Sequence, residues 1–432
     1  VNIKIGLGEL IAAKLVPAAE RAAFLASMTE EVEELVLRDN YLQTLALTLA
    51  EARAAAMLDA HARLMRSMER AGRLDRAVEF LPDDETVAQR AASERGLTRP
   101  ELAVLLAYAK IGLYDELLAS DLPDQPELRS ELLAYFPQAM SALGPDALGA
   151  HRLRREIIAT SVANALLNRM GPSFVEETAA RTGRDAGAIA RAYLIVRDVF
   201  GLASVWHSLE GLDNRVPASA QTQLLLAVME AADQAVRWFL RSGLTLDIGA
   251  RIREFQPGLE ILAAHVTDLL PEGERALTQT RRAAYVEAGA PADLTERVLI
   301  LNVLSTAMDI VQVKEETGGD ILDLARLYFG AGTALGLLTL RRQARVLPAA
   351  TEWQRLVADT LVDESYAQQR AVVRRMVADG VGGEGDGFAD WIGRNAGPGS
   401  PVQGVLADIA RAPAPDLAML TVASQRIRAV VS

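Results

Sequence analysis

An all-α fold, built as a layered bundle of many helices with at most a trivial strand at the N-terminus, is what this sequence predicts. Three observations carry that prediction. Nearly every segment repeats its apolar residues at i, i+3, i+4 and i+7, the period of an amphipathic helix. Strand-like alternation is confined to VNIKI, where Val1, Ile3 and Ile5 suit either the end of a strand or the start of a helix. Aromatic residues are only 5% of the chain, whereas Ala, Leu and Arg abound, a mixture that favours helices over sheets.

Along the chain, Thr29 with Glu30 and Glu31 opens one or two long helices running to Gly72, the acidic residues complementing the positive end of the helix dipole. Further helices are expected at about 84–95, 99–119, 145–170, 185–200, 217–242, 247–269, 292–310, 319–343 and 351–379. Breaks fall at LPDD (81–84), DLPDQP (121–126), the GP pairs at 144–145 and 171–172, NRVP (214–217) and EAGAP (287–291). Residues 379–401, DGVGGEGDGFADWIGRNAGPGSP, read as a Gly-rich mobile loop with Phe388 and Trp391 as its apolar anchors. Terminal helices are expected over 402–432.

One stretch, RGLTRPELAVLLAYAKIGLYDELLASDLPD (95–124), shows how these signals combine. Thr98 and Glu101 have the spacing of a capping box, in which hydroxyl and carboxylate each satisfy a backbone N–H. Pro100 sits in the first turn, where a missing N–H costs nothing. Only Lys110 breaks the apolar run from Leu102 to Tyr114, so a core helix buried on several sides is expected. Lys110 then either reaches the surface or pairs with a carboxylate of another helix.

Composition narrows the function. With 432 residues, half of them hydrophobic and 24% charged, the chain is globular and long enough for two or three domains. It has no cysteine, which excludes disulfides and thiolate metal sites and agrees with a cytoplasmic protein. A net charge of −12 argues against nucleic acid. Uncharged runs such as Leu327 to Leu340 are shorter than the roughly 20 residues a membrane span needs. The chain starts without Met and already inside an apolar pattern, as a fragment would.

No catalytic, cofactor-binding or metal-ligating residue can be assigned. His61, His151, His207 and His265 are far apart and lack any two-ligand helical spacing, so capping or surface roles are expected. GAGTALG (330–336) superficially resembles a dinucleotide loop, but it lies inside a helical run where small residues permit close helix packing. GLTRPELAVLLAYAK and ARTGRDAGAIARAYLIVRDVFGL (180–202) have helix-turn-helix character without the basic surround that DNA requires. Arg152, Arg154 and Arg155 in HRLRREII form a cluster suited to ion pairs between helices or subunits, with an anion site as the alternative.

Longer runs carry a resemblance. LVLRDNYLQTLALTLAEA (35–52), ERAGRLDRAVEFLPDDE (69–85), the 95–124 stretch and HRLRREIIATSVANALLNRMGPSF (151–174) are similar to the C-terminal region of the large bacterial NAD-specific glutamate dehydrogenases. RAYLIVRDVFGL (191–202), LEGLDNRVPASAQTQLLL (209–226) and LSTAMDIVQVKEETG (304–318) add to it. The resemblance covers roughly 1–378. It implies that the catalytic Lys and Asp and the nucleotide-binding loop lie upstream of Val1, so none can be placed here. It further implies that 1–72 completes the catalytic core and 73–378 forms a helical C-terminal domain. NAD would be bound by the upstream catalytic domain of the same polypeptide, in a homo-oligomer. The competing readings are an independent helical interaction module and, behind it, a DNA binder.

Overall fold

The computed structural model describes residues 1–347, 352–383, 387–397, 400–412 and 416–431. It is 79% helical and the described residues contain no strand, so no sheet exists on which a βα nucleotide loop could be built. The helices are α1 (Asn2–Ala12), α2 (Arg21–Ser27), α3 (Thr29–Ala52), α4 (Leu58–Arg70), α5 (Asp84–Ala92) and α6 (Arg99–Ala119). There follow α7 (Arg129–Ala134), α8 (Gln138–Leu143), α9 (Pro145–Gly149), α10 (Arg154–Met170), α11 (Phe174–Thr182) and α12 (Ala186–Val199). Next come α13 (Leu202–Glu210), α14 (Ala218–Arg241), α15 (Ile248–Leu269), α16 (Glu272–Glu287), α17 (Ala292–Leu304) and α18 (Met308–Thr317). The last are α19 (Ile321–Ala334), α20 (Leu337–Val346), α21 (Glu352–Ala378), α22 (Gly387–Ala396), α23 (Pro401–Arg411) and α24 (Leu417–Val431).

The chain divides into two compact units, 1–198 with 232–251, and 199–231 with 252–432. In the first, α6 and α10 form the central pair and α3 packs on both. In the second, α21 is the axis, touching α18, α19, α20 and α24.

Several expected elements are divided. VNIKI is helical, because Leu7 and Leu10 are fully buried one turn apart and Gly6 lies against Phe136, Met140 and Leu148. That packing outweighs the local alternation. The span 145–170 breaks at His151, whose Nδ1 accepts the Leu153 N–H at 3.1 Å and whose Nε2 donates to the Asn2 carbonyl at 3.2 Å. The span 292–310 breaks between Leu304 and Met308. The span 319–343 bends by 62° at Gly336, whose φ of +64° favours glycine.

The Gly-rich stretch 379–401 carries helix α22 rather than a continuous loop. Trp391 anchors it, 1% exposed, with its indole N–H donating to Asp379 at 2.8 Å. The mobility expected of 384–386 and 398–399 lies outside the described residues.

Helix α6 also departs from expectation. Its buried residues, Leu102, Leu105, Leu106, Ala109, Gly112, Leu113 and Leu117, form one stripe. Ala107 and Ile111 on the other side are exposed, Ile111 by 59%. The helix has more apolar residues than one buried face accommodates.

Candidate functional site

The capping box forms at the start of α6: Glu101 accepts the Thr98 N–H at 2.7 Å. The same carboxylate takes a bidentate pair from Arg90, at 2.6 and 2.8 Å. Although burial opposes it, these bonds hold the Glu101 carboxyl below its ordinary value. At the other end of α6, Arg155 donates to the carbonyls of Leu118 and Ser120 at 2.8 and 3.0 Å, satisfying terminal acceptors. Arg155 and Arg154 both pair with Asp124, the latter at 3.2 Å. Of the three clustered arginines, Arg155 therefore serves the end of α6, Arg154 pairs with Asp124, and Arg152 is exposed.

A concave feature of the first unit is a cavity of about 240 Å³ between α4, α6, α10 and α11. Leu64, Met68, Leu113 and Leu167 give it an apolar floor; Arg73, Glu116 and Glu176 bring charge. Loss of solvent raises the Glu116 carboxyl, Arg73 opposes the rise, and Glu176, Asp115 and Asp185 reinforce it. Gly112 leaves room for Arg73, whose Nη1 would lie 3.1 Å from an added Cβ. The cavity lining offers carboxylates, a guanidinium and the Ser67 hydroxyl, and no histidine or lysine.

The histidines stay apart. His61 is 1% exposed on α4, and its pKa is lowered to about 4, first by burial and then by Arg53. His207 and His265 are exposed, the latter's Nδ1 lying 2.9 Å from the Ile261 carbonyl. Among the described residues no group of three His, Asp or Glu could hold a metal ion.

The buried His61 yields a pH prediction. Unfolded His61 takes up a proton as pH falls below about 6.5, while folded His61 resists until about 4. Its contribution is therefore fully present above pH 6.5 and is lost as pH falls from 6.5 to 4, on the order of 1–3 kcal/mol. Urea unfolding across that window should show a shallower loss for His61→Gln than for the parent chain; equal slopes would contradict it.

The second unit holds a buried polar network. Asp309, 1% exposed, accepts from Arg370 at 2.6 Å and from the Tyr328 hydroxyl at 3.2 Å. Arg370 also donates to Gln312 at 3.1 Å. The Gln369 amide donates to the Tyr328 carbonyl at 2.6 Å and accepts from Arg341, whose guanidinium lies 4.0 Å from the Tyr366 ring centre. Burial and Asp309 push the Tyr328 phenol well above its usual range. Sequence reasoning missed this network, whose partners are distant along the chain.

The glycines of GAGTALG are occupied by packing. An added Cβ at Gly330 would meet Phe388 at 2.9 Å, at Gly332 Gln369 at 2.7 Å, and at Gly336 Leu406 at 2.5 Å. No space remains there for a pyrophosphate, so these residues do not fit NAD. The second helix-turn-helix candidate is core as well. Tyr193, Leu194, Ile195 and Val196 of α12 are fully buried, and Arg191 and Arg197 pair with Asp121 and Glu131, each at 2.6 Å.

Comparison with known proteins supplies what local geometry does not. The family described as "Glutamate dehydrogenase, C-terminal" matches residues 94–429. That described as "Bacterial NAD-glutamate dehydrogenase, catalytic domain" matches 1–50. A curated NAD-specific glutamate dehydrogenase from Pseudomonas aeruginosa is 41% identical over 373 residues, 86% of this chain and 23% of the relative. Its namesake from Halomonas elongata is 37% identical over 372 residues, again 86% and 23%. The one from Mycobacterium tuberculosis is 31% identical over 431 residues, 99% and 26%. The chain thus spans about a quarter of the length of these relatives. Matched over most of its residues by a glutamate dehydrogenase C-terminal family, it belongs to the bacterial NAD-specific glutamate dehydrogenases.

Proposed function

We propose that this chain is the helical C-terminal portion of an NAD-dependent glutamate dehydrogenase, supporting, assembling or regulating the catalytic core without carrying the chemistry. The full polypeptide would convert L-glutamate, NAD and water to 2-oxoglutarate, ammonia and NADH. NAD would be bound by the upstream catalytic domain of the same polypeptide, in a cytoplasmic homo-oligomer. The observation that carries this reading is the pair of family matches, catalytic domain over 1–50 and C-terminal region over 94–429.

The filled glycines of 330–336 support placing the nucleotide elsewhere. Net charge and the internally paired arginines of α12 speak against nucleic acid. Among the described residues no single helix is long and apolar enough to cross a membrane; the bent pair α19–α20 passes on length and composition. Leu327, Tyr328, Ala331, Leu335, Leu337 and Leu340 of that pair are packed inside the unit, as in a core.

The purified 432-residue chain should produce no NADH from glutamate above a buffer blank, whereas the full polypeptide should. NADH formation by the chain alone would refute the division of labour. A full polypeptide inactive toward glutamate would instead favour an independent helical interaction module.

A further inference from the structure

We propose that the N-terminal half of α3, with the exposed stripe of α6 beside it, is the seat on which the rest of the catalytic domain packs; this rests on the reading above. Residues 1–50 match the catalytic-domain family, and the relatives are about four times as long as this chain. Yet α3, with 24 residues, buries only Ala46 and Leu49, both near its C-terminal end. No residue between Thr29 and Leu45 is buried. Val36 and Leu37 are 55% and 67% exposed, and Ile111 of α6 is 59% exposed.

Isolated exposed apolar residues are ordinary on protein surfaces. These three sit on two helices that pack together. Arg99, at the start of α6, bonds Thr44, Thr48 and Glu51, so the helices run antiparallel. Farther along, Asp39 and Lys110 influence each other's charge. Val36 is one turn from Asp39, and Ile111 follows Lys110, so the apolar side chains flank that point. Charge identifies the occupant's surface. Glu30, Glu33 and Glu34 are exposed on the same half of α3, so the covering face is apolar with a basic rim.

Hydrogen exchange on the chain and on the full polypeptide tests the seat. Amides of 32–40 and 108–112 should exchange at least about tenfold more slowly in the full polypeptide, while those of the middle of α21 stay unchanged. Leu37→Glu should leave the melting temperature of the chain alone unchanged and make α3 of the full polypeptide exchange faster. Equal exchange in both proteins, or a full polypeptide indifferent to Leu37→Glu, would overturn the seat. So would a chain that dimerises alone and becomes monomeric with Leu37→Glu, since a second copy would then be the occupant. Glutamate-dependent NADH formation is measured in parallel. Intact activity with equal exchange removes only the seat, whereas slowed exchange without activity retains the seat and removes the enzymatic reading.

Discussion

Asp309→Ala is expected to destabilise the chain by about 3–5 kcal/mol, because it leaves the Arg370 guanidinium beside a buried vacancy without its carboxylate. Asp309 is essentially inaccessible and accepts from both Arg370 and the Tyr328 hydroxyl. Tyr328 keeps a second acceptor, the Thr306 carbonyl at 3.0 Å, and Arg370 keeps Gln312 at 3.1 Å. The orphaned charge therefore dominates the loss. A double change, Asp309→Ala with Arg370→Met, should cost much less than the sum of those two single changes, since it removes both charges together. Urea denaturation of the four proteins closes the cycle. A purely additive result would mean that Asp309 and Arg370 do not depend on each other, contrary to the 2.6 Å contact.

This network shows where sequence reading stops. The Thr98–Glu101 capping box is legible because both partners lie within one turn and the geometry is local. The role of Arg155 is half legible: an arginine near a helix start asks for a carbonyl or carboxylate. That these are Leu118, Ser120 and Asp124 depends on how α10 meets α6. Asp309 gives no signal at all, since LSTAMDIVQVKEETG reads as an ordinary amphipathic helix and Arg370 lies 61 residues away. The glycines of 330–336 signal close packing without naming Phe388, Gln369 and Leu406 as what packs there. Burial fails in the opposite direction at Ile111, where apolar composition predicts a helix covered on several sides. Hydrophobic periodicity tells which residues prefer to be buried, while the available partner surface decides how many are. Chemistry was legible only as an absence of motifs, and the family came from long runs rather than from any site.

The α6 helix separates local from tertiary stabilisation, and its variants should rank accordingly. Leu105→Ala is expected to cost about 2–5 kcal/mol, because Leu105 is fully buried between helices and the core refills the lost volume only in part. Thr98→Ala should cost about 1 kcal/mol, the usual loss for an N-cap, and Glu101 keeps its bonds to the Thr98 N–H and to Arg90. Lys110→Met should go the other way. Burial lowers the Lys110 pKa to about 8, opposed by Asp39, so the folded state holds this proton less firmly than the unfolded chain. Stability limited by Lys110 is therefore recovered as pH rises from about 8 toward 10.5, and Lys110→Met should be neutral or stabilising at pH 7. Asp39 lies exposed, so the swap leaves no carboxylate stranded in the core. Thermal melts of the three variants at pH 7 and pH 10 read this order directly. A Lys110→Met protein several kcal/mol less stable than the parent would show that the ammonium is a required partner for Asp39. In the full polypeptide, Leu105→Ala and Thr98→Ala should lower the amount of folded protein and leave the KM for glutamate unchanged. A loss of turnover at unchanged melting temperature would instead place α6 at the active site, because a change in packing alone acts through the folded fraction.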